Sequence, residues 1–375
     1  MTDLILRGGR VIDPAQGLDG VMDVGFSGGV VEAVGVSLPD GGAEVRDVSG
    51  LIVTPGLIDL HTHVYWGGTS LGIDAEDFAR SSGVTTAVDT GSAGPGNFAG
   101  FRAHVIEPCR TRILAYLHVS FAGIWGFGNE VMIGESTDIR LMAPKSTVEV
   151  AEANRDVIVG IKVRLGRLGS GDLGMAPFEY ALQAAEETGL PMMVHIDQPP
   201  PTYEEVCSRL RPGDVLTHCF RPYPNAPYAP GGGVREAVLE ARERGVIFDI
   251  GHGKGSFAFD TARRMLGAGF APDVISSDVH QLCIDGPAYD QVTTMSKFLC
   301  LGMDLGEVVM RSTQTAAAAL QRPELGSLAP GTPGDATLLS VEEGAFDYED
   351  VVGEVVTGDR RIFAKGVVVG GRWFE

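Results

Sequence analysis

The sequence predicts an α/β fold: a (β/α)8 TIM-like barrel with a small β-sandwich domain formed from both termini. Three observations predict it. Glycine-punctuated strand patterns open and close the chain. Between them, apolar strands alternate with amphipathic helices, the signature of βα units and a parallel sheet. The strands of this middle part number eight over roughly 260 residues, which suits a closed barrel better than an open sheet.

In chain order, Leu4-Ile5-Leu6 precedes Gly8-Gly9, and Val11-Ile12 precedes Asp13-Pro14. Val24-Gly25-Phe26 runs to Gly28-Gly29, followed by Val30-Val31. Turns this frequent, with β-branched residues between them, favour a small antiparallel sheet. The same character returns in Thr337-Leu338-Leu339, Val355-Val356 and Val367-Val368-Val369. One split β domain, 1–53 plus 328–375, is therefore expected around an inserted barrel at 54–327. The barrel strands are predicted at 57–61, 85–89, 113–119, 157–163, 192–196, 215–218, 246–250 and 274–277. Helical spacing between them shows in Phe178, Leu182, Ala185 and in Val234, Val238, Ala241.

The 375 residues are 44% hydrophobic and 21% charged, enough for a sizeable core. Lys and Arg total 29 against 49 for Asp and Glu, a net charge of −20 that repels nucleic acid and anionic membrane surfaces. A small-molecule substrate is the expected partner, and a homo-oligomer is left open. The five cysteines form no Cys-x-x-Cys pair, so neither a disulfide framework nor a thiolate zinc site is expected. The first residues carry no basic, then apolar, leader pattern, and no apolar run reaches the roughly eighteen residues of a membrane span. A cytoplasmic location is the expectation.

The chemistry concentrates at strand ends. In Asp59-Leu60-His61-Thr62-His63, two histidines two apart on a strand face the same way. Paired imidazoles suit zinc. His195 ends 191–195, His218 ends 215–218, and Asp278 follows 274–277. Taken singly, each has a plain structural reading. At the carboxyl ends of different barrel strands they converge on one face, where catalytic groups sit. Lys162 lies inside the apolar run 157–163, where a charged amine must pair, snorkel or be modified.

In chain order His61-Thr62-His63, Lys162, His195, His218 and Asp278 resemble the ligand set of the amidohydrolase superfamily. Val53-Thr54-Pro55-Gly56-Leu57-Ile58-Asp59 and the segment 328–336 are similar to that family's passages into and out of the barrel, so the likeness spans nearly the whole chain. It implies two divalent metal ions, zinc being expected. His61, His63 and Asp278 would hold one and His195 and His218 the other. Lys162, carboxylated by CO₂, would bridge them as a carbamate. It also implies attack by a metal-bridged hydroxide, with Asp278 as the catalytic proton carrier.

Phe248-Asp249-Ile250-Gly251-His252-Gly253-Lys254-Gly255-Ser256-Phe257 resembles a subgroup of amidohydrolase/deacetylase metallohydrolases often mislabelled as dihydroorotases. The arginine that usually follows the His-x-His of dihydroorotases is missing from His63-Val64-Tyr65-Trp66-Gly67. The subgroup implies cleavage of an amide or ester in a small acylated carboxylate, an N-acyl D-amino acid derivative or an O-acetyl 2-hydroxy acid. The alternatives are a cyclic amide or imide hydrolase, hydantoinase- or dihydroorotase-like, and a silent scaffold without metal. For substrate contacts the sequence offers His252 on its glycine loop, Arg164 on the strand parity of Lys162, Trp125 with Phe127, and Tyr223 with Tyr228. His280 is expected to support the site, and His104 and His118 are read as structural.

Overall fold

The computed structural model describes residues 2–374. Two sheets organise it. The first has seven parallel strands lying side by side in chain order: Leu57–Thr62, Val84–Thr90, Arg112–His118, Ile158–Leu165, Met192–Ile196, Val215–Leu216 and Ile247–Phe248. Helices between them cover the sheet. In Ala176–Thr188, Phe178, Ala181, Ala184 and Ala185 are buried, and in Glu236–Glu243, Val238 and Ala241 are. Burying Phe178 alone stabilises the fold by about 2–3 kcal/mol.

The predicted eighth strand takes another form. Residues 274–279 make one parallel bridge to each edge of the sheet, Val274 to Asp249 and Val279 to Thr62. Side chains take over the ladder there. Ser276 Oγ donates to Asp249 Oδ1 at 2.6 Å, Ser277 Oγ to the buried Asp59 carboxyl, and Ser277 N to Asp59 Oδ1 at 3.0 Å. Asp278 then turns out of the extended region at φ 47°, which ends any strand.

The second sheet has eight strands and joins the two ends of the chain. Ile52–Pro55 pairs parallel with Leu4–Asp13 on one side and antiparallel with Ala336–Glu349 on the other. Where the sequence predicts a sandwich, the strands hydrogen-bond into one continuous sheet in the order Arg372–Trp373, Val355–Val369, Ala336–Glu349, Ile52–Pro55, Leu4–Asp13, Leu18–Ser27 and Val30–Gly35, with Glu44–Asp47 beside Leu4–Asp13. Register shifts at Leu6/Gly9 and Leu338/Leu339 mark bulges, which bend and twist a sheet. Leu4, Leu6, Val24, Phe26, Val53, Leu338 and Val368 form its own buried cluster.

The two sheets are joined at Gly56, whose amide donates to Asp335 O at 3.0 Å. Leu57 N donates to Thr337 Oγ1 at 3.0 Å, and Arg112 is ion-paired with Asp335. Among the described residues no helix is long and apolar enough to cross a membrane.

Candidate active site

Strand ends build a cavity of about 290 Å³, counted to its open mouth. It is lined by His61, His63, Lys162, Arg164, His195, His218, Asp278 and His280, with Leu71, Ile124 and Phe127 completing the wall. All six residues singled out as ligands thus reach one space. Asp278 Oδ1 stands 3.3 Å from His61 Nε2 and 3.2 Å from His63 Nε2. His195 Nδ1 and His218 Nε2 face each other at 2.6 Å. Ligand atoms of His61, His218 and Asp278 all lie within 4.8 Å of one another. His218 and Asp278 adopt left-handed φ values of 68° and 47°, which turn their side chains off the strand direction and into the cavity.

The outward atoms of the imidazoles are held, and this fixes the inward ones. Thr217 Oγ1 donates its only proton to Asp249 Oδ2 at 2.7 Å, so His61 Nδ1, 2.8 Å away, must donate to that oxygen. His61 Nε2 then carries a bare lone pair toward the Asp278 carboxylate. His218 Nδ1 donates to Gly251 O at 2.7 Å, which strips the proton from its Nε2. His195 Nε2 lies 3.3 Å from the Asp197 carboxylate and is best satisfied as the donor, leaving Nδ1 bare. Acceptor therefore faces acceptor in two places. A divalent cation would satisfy both, and nitrogen-rich donors with one carboxylate suit a borderline-soft metal.

Lys162 completes the fit. It is fully buried, and its Nζ has no hydrogen-bond partner among the described residues. Gly91, at φ 90°, lets the neighbouring strand end pass over its stem, where a methyl would come within 2.7 Å of Lys162 Cγ. Burial, offset in part by the Asp278 charge, pushes this amine down to about 7. Burial also holds His61, His195 and His218 well below the usual imidazole range and brings His63 down to about 3. The rings are neutral, as ligation requires. Burial pushes the Asp278 carboxyl up to about 6.

Of the proposed substrate contacts, Arg164 lines the cavity. Its Nη1 donates to Glu135 Oε2 at 3.1 Å, and the guanidinium lies 4.9 Å from the Phe127 ring centre. Glu135 is buried and also meets His118 Nε2 at 3.1 Å. Sequence reasoning misses Glu135, which sits in an irregular loop with no periodic signal, and it reads His118 only as structural. His280, expected in support, is in the wall itself, edge-on to Phe127 at 5.7 Å.

Four expected contacts fall outside the cavity lining. Gly251 and Gly253, at φ 46° and 52°, reverse the backbone so that the fully buried His252 ring points away, onto Phe257 and Lys297. The glycines press on the site instead. A methyl on Gly251 would lie 2.8 Å from His218 Nδ1, and one on Gly253 would lie 2.1 Å from Asp278 Oδ2. Trp125 is 44% exposed and lines a surface groove with Ser70 and Val131, because in its loop Ile124 and Phe127 turn inward. Tyr223 is 65% exposed on its proline-rich loop, and Tyr228 lies under Arg264.

Comparison with known proteins places this geometry. No family model matches the sequence. A protein of Brucella anthropi named deacetylase is 34% identical over 344 residues, 91% of this chain and 85% of its own length. A crystal structure described as a dihydroorotase is 32% identical, with a TM-score of 0.89 over 99% of this chain and 98% of that one. Another, described as an adenine deaminase, is 27% identical, with a TM-score of 0.91 over 100% and 99% of the two chains. Three names on one scaffold at such identities show that the fold by itself does not fix the substrate. With that likeness along nearly its full length, the chain belongs to the amidohydrolase superfamily, in the subgroup that carries deacetylase and dihydroorotase names, and is a hydrolase.

Proposed function

We propose that this chain is a binuclear metal-dependent hydrolase that cleaves the amide or ester bond of a small acylated carboxylate. The substrate would be an N-acyl D-amino acid derivative or an O-acetyl 2-hydroxy acid. The observation that carries this reading is the pair of facing acceptors, His61 with Asp278 and His195 with His218, beside an amine with no partner. The deacetylase name of the Brucella anthropi relative supports the acyl bond as target.

His61, His63 and Asp278 would hold one divalent cation and His195 and His218 the other, zinc suiting both sets. Lys162, once carboxylated by CO₂, would supply an oxygen ligand to each, with 274–279 closing the strands into an eight-membered barrel. In this reading 54–327 is the catalytic unit, and 1–53 with 328–375 is the β unit. When bound, the cations supply Lewis acidity to the acyl carbonyl and bring the pKa of a water toward roughly 7.

The chain's own groups do the rest. Asp278 takes a proton at its carboxylate from the attacking water and returns it to the leaving nitrogen or oxygen. Arg164, held by Glu135 and Phe127, pairs with the substrate carboxylate. Leu71, Ile124 and Phe127 give the remainder of the substrate an apolar wall. The test is a panel of acylated amino and hydroxy acids of both hands, beside hydantoin and dihydroorotate, with zinc-loaded protein. Turnover confined to acylated carboxylates is expected. Faster turnover of the cyclic amides would replace this reading with the ring-opening one, and a protein that retains no metal after zinc and bicarbonate supply would be a silent scaffold.

A further inference from the structure

Outside the cavity, one buried lysine joins parts of the chain that are remote in sequence. Lys297 lies on the helix Gln291–Cys300 and is fully buried. Its Nζ donates to His252 Nε2 at 2.7 Å, to Pro287 O at 2.8 Å and to Glu349 O at 2.6 Å. His252 Nδ1 in turn lies 3.0 Å from Gly253 O. The two bonds fix the tautomer: Nδ1–H donates to the glycine carbonyl, and the Nε2 lone pair accepts from the lysine. The ring is stacked on Phe257 with centres 4.8 Å apart.

Glu349 ends the long strand Ala336–Glu349 of the second sheet. The turn after it is fastened to the same loop. Asp350 Oδ2 accepts from Phe259 N at 2.9 Å, and Val351 N donates to Phe257 O at 3.2 Å. The loop's opposite face rests on the catalytic groups, through Gly251 O on His218 Nδ1 and through Gly253 on Asp278 Oδ2.

We propose that Lys297 is a positioning residue: through His252 it presses the 251–253 loop onto Asp278 and His218, so the C-terminal hairpin sets the geometry of the site. The inference rests on the reading of Asp278 as proton carrier and His218 as ligand. Gly253 has no side chain to brace it: its amide is held by Ser277 O at 2.9 Å, and its carbonyl by the bond from His252 Nδ1. A misplacement of about 1 Å at a catalytic group can cost about 100-fold in rate, and loss of an outer partner of a ligand costs about 10- to 100-fold in metal affinity.

The experiment uses the full-length, zinc-loaded protein and the variants Lys297→Met, Lys297→Arg, His252→Phe and the Lys297→Met/His252→Phe double. The readouts are zinc retained on dialysis, and kcat and KM on the acylated acid that wild type turns over fastest. His252→Phe keeps the ring stack and the volume, so it carries the test if Lys297→Met fails to fold. The expected result is kcat lower by about 10- to 100-fold, KM within about twofold, and zinc lost about tenfold faster. Lys297→Arg should recover part of the loss, and the double variant should be no worse than the poorer single. Variants that melt earlier but keep kcat and zinc retention within about twofold would reduce Lys297 to a strut and overturn the proposal. Wild type without zinc or turnover would sink the proposed function itself, a different result from intact wild type with indifferent variants.

Discussion

Lys162 and Lys297 are both buried, and burial pushes both amines down to about 7. Their surroundings differ completely. Lys297 Nζ spends its hydrogens on a ring nitrogen and two carbonyls, whereas Lys162 Nζ has no partner among the described residues. Burial alone thus does not mark a reactive amine. A saturated ammonium is a clamp, while the lone amine, among neutral imidazoles and one carboxylate, is the group that the proposed function has carboxylated.

Replacing the lone amine should have the largest effect. Lys162→Ala is expected to lose metal and at least about a thousandfold in kcat/KM, the scale of losing an activated water. Short carboxylic acids should restore part of it by standing in for the carbamate. Unchanged turnover would remove Lys162 from the chemistry and erase the contrast with Lys297.

The neighbouring cation comes next. Arg164→Met should raise KM for carboxylate substrates, lowering kcat/KM by about 100-fold, the worth of a charge-assisted pair. Methyl esters of the same substrates should discriminate little between wild type and variant. Equal losses on acid and ester would show that Arg164 holds the wall rather than the carboxylate.

A smaller effect separates the lysines by pH. In the unfolded chain each titrates near 10.5, but in the folded, metal-free chain near 7. Between those values the unfolded state binds more protons, so this contribution to stability grows as pH rises from 7 toward 10.5. Metal-free wild type should melt at least about 3 °C higher at pH 9 than at pH 7 by scanning calorimetry. The increment should shrink in both Lys162→Met and Lys297→Met. Bicarbonate should enlarge it only where Lys162 remains, because CO₂ adds to a neutral amine. An identical bicarbonate response in Lys162→Met would break the distinction. The smallest effect belongs to the exposed aromatics: Trp125→Ala and Tyr223→Ala should leave kcat/KM within about twofold.

The convergence of the six proposed ligands on one cavity is legible in the sequence and the Lys297 bonds are not, for a physical reason. His61 and His63 can be read because strand geometry sends alternate residues one way, and His195, His218 and Asp278 because strand ends of parallel units converge. Loops obey no such period. The direction of His252 was set by φ values at Gly251 and Gly253, so the ring expected in the pocket points away from it. Lys297 and Glu135 act on partners 45 and 29 residues distant or on backbone carbonyls, which leave no pattern in a linear chain. The eighth strand was expected from apolar 274–275, but the serines that follow satisfy Asp249 and Asp59 instead of a ladder. Strands at both ends of the chain are legible, and their pairing is not, since strand identity says nothing of neighbours.

One feature of that β unit bears on how the molecule is made. Ile52–Pro55 leaves the ribosome before the strands of the parallel sheet, its antiparallel neighbour Ala336–Glu349 only after them, and Thr54 and Thr337 meet across 283 positions. Nearly the whole barrel can emerge while one edge of this strand stays bare. Exposed edges invite foreign strands, so the nascent chain carries an aggregation hazard at this strand until Ala336–Glu349 arrives and covers it.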